Sequence, residues 1–476
     1  MSQFSNHPKR NKRQTHTSKN HTSKNHSPKP NSSQTDSSNS FSSPWQQAQQ
    51  AFRKRNPNPT SEAKAPNTQW QLTDPESSDN LSLTLHRYPA NRQHVSLQAW
   101  DAADEYLINH LRERMAENTL PENAHILIVN DDFGALTCAL SCELFSPKQQ
   151  EKEQDKESKY TLTWLSDSYI SKQGCLQNLA ENQLNTDHIK FIDSLAPLPQ
   201  NIDLAIIKLP RAHALLEHQL AALQTHNIDI IAAGKVKAVQ TSVLQLFEKY
   251  LGTTTTSLAV KKARLIFAKG TPPNNTSGTA ITSPYPTVWS MPTNDSAQPE
   301  LTIHNHANVF SRAQLDIGAR LLLDHLPDVS GKTVVDLGCG NGVLGLQMLL
   351  ASKPEKLLFI DESAMAVASA KHNVSHNFPE QLSRCEFVHS DCFETIPEQK
   401  AHVVVCNPPF HQQNTLTDHI AWQMFQQAKQ ALYPGGELRV VANRHLQHHD
   451  KLKRLFGGYQ VVASSQKFSI LSAINK

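Results

Sequence analysis

Asn407-Pro408-Pro409-Phe410 is the stretch whose residue types and order could do chemistry. It follows His402-Val403-Val404-Val405-Cys406, a β-branched run that reads as a buried strand. The two prolines stop regular structure and stiffen the turn. A carboxamide is thereby held at the C-terminal end of a strand, with an aromatic ring three residues on. Open α/β sheets bind ligands outside that end of their strands. The plain alternative is a Pro-Pro loop that only closes the strand.

A second set of residues lies upstream. Asp336-x-Gly338-x-Gly340-x-Gly342 follows the strand Thr333-Val334-Val335 and opens a helix. Glycines there let a ligand approach the backbone without a Cβ clash, and a helix N-terminus favours a carboxylate or phosphate. A dinucleotide fingerprint needs glycine at 343, where this chain has Val343, so that match fails. Asp361 ends the next strand, Leu357-Leu358-Phe359-Ile360, where an acid accepts hydrogen bonds from ribose hydroxyls. Asp391 follows a third strand and is placed to accept from an adenine amine. Each signal alone is moderate; in strand order they reinforce one another.

The elements that position these residues alternate between strand and helix, which implies a mostly parallel sheet. A similar alternation fills residues 67–269. Strand runs at 125–129, 161–165, 204–207 and 228–232 are followed by a helix over 239–250. Asn130-Asp131-Asp132-Phe133-Gly134 occupies the place of Gly338 to Gly342. Ser166 stands where Asp361 stands, and Lys208-Leu209-Pro210 where Asn407-Pro408-Pro409 stands. We read a duplicated α/β unit whose first copy has lost its cofactor features. Lys208 and Arg211 replace Asn407 and Phe410, so this copy gains charge where the other has chemistry. Lys235, Lys237, Lys261, Lys262 and Arg264 add basic character.

Length and composition bound the rest. A chain of 476 residues allows two to three domains. Residues 1–66 carry eleven Lys and Arg against Asp36 and Glu62, a net +9, so the remainder carries −6 of the overall +3. This Ser-, Asn- and His-rich tail cannot bury a core and is expected to be disordered, either an RNA tether or a solubilising arm. Residues 270–298 read as a linker and 299–476 as the second globular unit. The charge run over 148–159 reads as a solvated insertion. No apolar run approaches the ~20 residues that span a bilayer, and the N-terminus lacks an apolar signal core, so no membrane is expected. Seven cysteines form no CxxC site, and His7, His16, His21 and His26 show no ligand spacing, so no metal is expected.

The glycine loop, Asp361, Asp391 and Asn407 to Phe410 together resemble the Rossmann-like S-adenosylmethionine-dependent methyltransferases. Asn-Pro-Pro-Phe resembles their amino-methylating branch. The resemblance implies methyl transfer to a planar NH2: adenine N6, guanine N2 or a glutamine amide. Such a nitrogen is a poor nucleophile because its lone pair is delocalised. Asn407 and the Pro408 carbonyl would accept its two N–H bonds, and Phe410 would stack on the base.

Residues 70–476 resemble more closely the tandem-domain bacterial rRNA guanine-N2 methyltransferases, on the large-subunit side. The carriers are Phe310-Ser311-Arg312-x-x-Leu315-Asp316-Ile317-Gly318-Ala319-Arg320, Asp361-Glu362-Ser363, Asn407 to Gln413, Ala421-Trp422 with Met424-Phe425, and Val441 to Leu446. That resemblance implies two mostly parallel seven-stranded sheets, the first unit degenerate and supporting RNA binding and the fold of the second. It implies a cytoplasmic monomer acting on guanine N2 in 23S rRNA. Asn407, Pro408, Pro409 and Phe410 would present the base. Asp336, Gly338, Cys339, Gly340, Gly342, Asp361, Asp391, Cys392 and Asn407 would hold the cosubstrate. The alternatives are a small-subunit rRNA guanine, an adenine, or a non-catalytic RNA-binding assembly factor.

Overall fold

The computed structural model describes residues 66–72, 81–89, 97–121, 123–145, 160–271, 280–292, 300–409, 415–446 and 448–476. Residues 1–65 of the tail, the charge run at 148–159 and Phe410 lie outside that set.

The same succession of elements is built twice. The first pass is β1 (Gln69–Leu72), β2 (Leu81–Thr84), α1 (Ala102–Ala116), β3 (His125–Val129), α2 (Ala135–Phe145), β4 (Thr161–Ser166), α3 (Tyr169–Glu181), β5 (Ile189–Asp193), β6 (Leu204–Lys208), α4 (His213–Leu223), β7 (Ile228–Lys235), α5 (Thr241–Leu251), β8 (Thr255–Thr256) and β9 (Ala263–Gly270). The second is β10 (Thr287–Met291), β11 (Leu301–Asn305), α6 (Ile317–Leu323), β12 (Thr333–Leu337), α7 (Val343–Ala351), β13 (Lys356–Asp361), α8 (Ala364–Asn377), β14 (Cys385–His389), β15 (Ala401–Cys406), α9 (Thr415–Ala431), β16 (Leu432–Asn443), α10 (His448–Phe456), β17 (Gln460–Ser464) and β18 (Phe468–Ile474). The sheet orders are β5-β4-β3-β6-β7-β9-β8 and β14-β13-β12-β15-β16-β18-β17. Adding nine to each label of the first gives the second. In each sheet six strands run in one direction, and β9 or β18 is antiparallel to both of its neighbours.

The strands form because both faces are covered. In β3, Ile126 and Ile128 enter one core while Leu127 and Val129 enter the other. In β12, Val334 faces one core and Val335 and Leu337 the other. Parallel strands sheathed by helices read as continuous apolar runs for this reason.

Each antiparallel hairpin is clamped to its copy by two asparagines one helical turn apart. Asn178 of α3 and its C-cap Asn182 exchange side-chain hydrogen bonds of 2.8 Å with the backbones of His86 and Thr84. Asn373 and Asn377 of α8 do the same with His304 and Thr302, at 2.8–3.0 Å. The linker expected at 270–298 is therefore not irregular throughout. Thr287–Met291 pairs in register with Leu301–Asn305 and buries Met291. Its Thr- and Ser-rich surroundings hid that alternation.

The copies meet at equivalent residues. Tyr169 N donates to Glu362 O at 2.8 Å, and Ala364 N donates to Asp167 O at 2.9 Å. Ser168 and Ser363, the N-caps of α3 and α8, form an antiparallel bridge between them. A local two-fold thus runs beside the C-terminal end of β13.

Candidate active site

β12, β13 and β15 end side by side, since Leu337 pairs with Ile360 on one side and with Cys406 on the other. The loop after β12 turns on glycines with positive φ, two of which serve different ends. A Cβ on Gly342 would lie 3.0 Å from Ala370 Cβ and 3.2 Å from Phe359, so this glycine lets α7 pack on its neighbours. A Cβ on Gly340 would meet nothing within 4 Å, yet φ is +55°. Its N–H donates to Asp361 Oδ2 at 2.9 Å. Asp361 Oδ1 accepts from Ser363 N at 3.0 Å, so two backbone amides aim this carboxylate.

Above the loop lies a cavity of about 490 Å³. Of the residues expected from sequence, Gly338, Cys339, Gly340, Asp361, Asp391, Cys392, Asn407, Pro408 and Pro409 line it. Asp391 is buried and accepts from Gln423 Nε2 at 3.0 Å; Cys392 Sγ lies 3.7 Å from its other oxygen. Asn407 Oδ1 is buried and has no hydrogen-bond partner among the described residues.

Asp336 and Gly342 are not part of the cavity wall. Asp336 points down toward α7, fully buried, and accepts from Gly345 N at 3.1 Å. Its Oδ1 has no hydrogen-bond partner among the described residues. Burial pushes its pKa up to about 8, so it is protonated at neutral pH.

Several other lining residues come from segments that the sequence marked for the family resemblance but did not assign to the site. Ile420 and Met424 come from α9, and Met424 Cε approaches Gly338. Phe310, Ser311, Gln314 and Asp316 come from the segment leading into α6, which Asp316 caps through Gly318 N and Ala319 N. An N-cap acid before an apolar turn is the signal that could have placed Asp316. Ile170 comes from the first copy. It sits two residues beyond Ser168, whose hydroxyl donates to Glu362 at 2.6 Å. Burial pushes the Glu362 carboxyl up to about 7. Asp167 accepts from Ser363 Oγ at 2.5 Å, from Met365 N at 2.9 Å and from Asn308 Nδ2 at 2.7 Å. The degenerate copy thereby braces the turn that carries Asp361.

In the first copy the corresponding place is filled. Asn130 takes the left-handed conformation of Gly338, with φ +62°. Its amide exchanges hydrogen bonds with Gln219 at 2.8 and 3.0 Å. Lys208 is not the surface cation expected from sequence. Its ammonium lies 2.9 Å from Asp101 and 2.6 Å from Asp104, both at the start of α1. Burial raises Asp104 to about 7 against the pull of Lys208; Asp101 is more exposed, and the same ammonium holds it at about 2 despite burial. Lys235 and Lys261 likewise lie 3.4 Å from Asp101 and 2.8 Å from Glu105.

The second cavity fits S-adenosylmethionine. Gly340 leaves room against the backbone, and Asp361 and Asp391 bring carboxyl oxygens to the cavity as acceptors for hydroxyl and amine donors. Among the described residues, no cluster of His, Cys, Asp and Glu is arranged to hold a metal, and no helix is long and apolar enough to cross a membrane.

Comparison with known proteins shows the family. Residues 74–272 match the family model RLMG N-terminal domain, and residues 300–472 match Methyltransferase small domain. Ribosomal RNA large subunit methyltransferase G of Erwinia tasmaniensis is 49% identical over 402 residues, covering 83% of this chain and 97% of the relative. The protein of the same name from Colwellia psychrerythraea is 43% identical over 413 residues, covering 85% and 100%. Among solved structures, the T. thermophilus 16S rRNA N2 G1207 methyltransferase (RsmC) in complex with AdoMet and guanosine shares the fold. It aligns with a TM-score of 0.60 at 19% identity over 86% of this chain and 98% of that one. With two ordered copies of one fold, a cavity over the glycine loop of the second and relatives matched almost end to end, the chain belongs to the ribosomal RNA large subunit methyltransferase G family.

Proposed function

We propose that this protein methylates the exocyclic N2 of a guanine in 23S rRNA, using S-adenosylmethionine, and that Asn407 presents the amine. The observation that carries this reading is the Asn407 side-chain oxygen: buried, without a partner among the described residues, and held by two prolines at the cofactor cavity. A buried acceptor left unpaired is costly unless a donor arrives. An exocyclic amine is such a donor. S-adenosylmethionine, when bound, supplies an electrophilic methyl on a sulfonium.

The chain's own residues do the positioning. Asn407 Oδ1 and the Pro408 carbonyl accept the two N–H bonds of the amine, which favours a pyramidal nitrogen with its lone pair turned to the cofactor side. Asp361 and Asp391 fix the cofactor, with Gly338, Cys339, Gly340 and Cys392 shaping its cradle. Phe410, outside the described residues, is assigned by sequence to stack on the base. Asp336 acts from beneath by holding α7 to the loop. No strong base is needed; orientation supplies most of the rate. We further infer that the protein works as a cytoplasmic monomer.

The test is Asn407→Ala, assayed on 23S rRNA with 16S rRNA as control. We expect kcat to fall about 100-fold, as when one preorganised polar group is removed, with cofactor affinity nearly unchanged. Wild-type turnover by the variant would overturn the assignment.

A further inference from the structure

The two copies act as an internal control for what the fold requires. Leu246, Phe247 and Tyr250 mirror Leu455, Phe456 and Tyr459, which aligns Thr241–Phe247 with Asp450–Phe456. The core positions agree: Val243 and Leu452 are buried, as are Phe247 and Phe456. The remaining positions do not. Exposed Ser242 and Gln245 of α5, and Leu244 at the edge of its core, become Lys451, Arg454 and Lys453 of α10 respectively. Packing the helix therefore does not call for these cations.

The neighbouring helix changes in step. Gln219 and Met424 both abut the first residue of their loops, Asn130 and Gly338, which sets Glu217 of α4 against Trp422 of α9. In the first copy that place is an acid bonded to Lys249, Tyr250 and Tyr285. In the second it is a half-buried tryptophan with the Arg454 guanidinium 5.2 Å from its ring centre. An aromatic ring holds a guanidinium in a fixed orientation without neutralising it. Lys453 and Arg454 are exposed, and Arg444 and His445, also exposed, follow β16, the strand next to Asn407's own. Ile420 and Met424, one helical turn apart, line the cavity, while Trp422 falls on the other face of α9. The cations thus lie across α9 from the proposed acceptor site.

We infer that Lys453 and Arg454, with Trp422 beneath, grip the sugar-phosphate backbone of RNA beside the target nucleotide. This rests on the proposed function. Phosphate oxygens are the complementary ligand: a planar guanidinium binds them in bidentate fashion, and an ammonium adds a point charge. Such contacts set register on the RNA without reading its sequence.

The experiment is direct binding of a 23S rRNA fragment by the full chain at 50–200 mM salt, comparing wild type with Lys453→Gln/Arg454→Gln. Lys332→Gln/Lys353→Gln makes the same change in net charge beside the start of β12. We expect the first pair to weaken RNA binding about tenfold and to flatten the log–log salt slope by about 0.7 to 0.9 per lost phosphate contact. Cofactor affinity and kcat at saturating RNA should stay within about twofold. The control pair should leave the slope unchanged. An unchanged slope in the first pair, or equal effects from both, would overturn the inference. Because binding is read without turnover, absence of 23S methylation by wild type would overturn the proposed function and leave this result separate.

Discussion

Asp167, just past β4 in the first copy, accepts a hydrogen bond from Ser363, the N-cap of α8 in the second. It also accepts from Met365 N and Asn308 Nδ2. Asp167→Ala would leave these buried donors unpaired. We expect unfolding stability to fall by about 1–3 kcal/mol. The turn from Asp361 to Ser363 should loosen, raising the cofactor dissociation constant several-fold. Calorimetry with Asp167→Asn alongside checks this: the asparagine, which keeps an acceptor, should recover most of the affinity.

The glycine loop offers a paired test. Gly340→Ala meets no steric obstacle but forces φ +55° on an alanine and puts a methyl beside the cavity. It should cost about 1–2 kcal/mol in backbone strain and weaken cofactor binding more than stability. Gly342→Ala drives its Cβ against Ala370 and Phe359 and should lower the melting temperature first. Thermal unfolding and cofactor titration on both proteins separate the two roles.

Lys208 distinguishes a packed ion pair from an RNA contact. Lys208→Met leaves Asp104 buried without its cation. Removing one partner of a buried pair costs about 3–5 kcal/mol, so chemical denaturation should show a large loss. The salt slope of RNA binding should not move. A lowered slope with unchanged stability would restore the surface role that the sequence suggested.

Asp336 makes stability depend on pH. Its folded pKa, raised by burial to about 8, lies above its ordinary value of 3.8, so the folded state binds the extra proton between them. Its contribution is fully present below the ordinary value and is lost as pH rises through about 8. Asp336→Asn cannot titrate and keeps an oxygen for Gly345. Relative to wild type, its stability should therefore improve as pH goes from 6 to 9 in denaturant titrations. A constant difference across that range would refute the assignment.

What could be read in the sequence was local. β12 announces itself by β-branched residues, and its loop by glycines whose φ values only that residue adopts readily. Asp361 and Asn407 each end a strand, so their place follows from the order of elements. The duplication was legible too, because the two cores need the same apolar positions. What stayed hidden depends on partners far along the chain. Lys208 looks like surface charge until α1 brings Asp101 against it across 107 positions. Ile170 gives no sign that it will wall the other copy's cavity. Asp336 shares the glycine motif but points to the opposite side of the loop, since side chains alternate along β12. β1, β5 and β10 are half-exposed and lack the continuous apolar run that marks β12.

The side chains paired within the first copy bear on how many cofactors the chain should take up. Two folds of one design would suggest two equivalents of cofactor per chain. Lys208, Asp101, Asp104, Asn130 and Gln219 satisfy one another inside the first, so a glycine restored at 130 would not reopen it. A binding isotherm should saturate at one equivalent, and no cooperativity between the copies can arise from the cofactor.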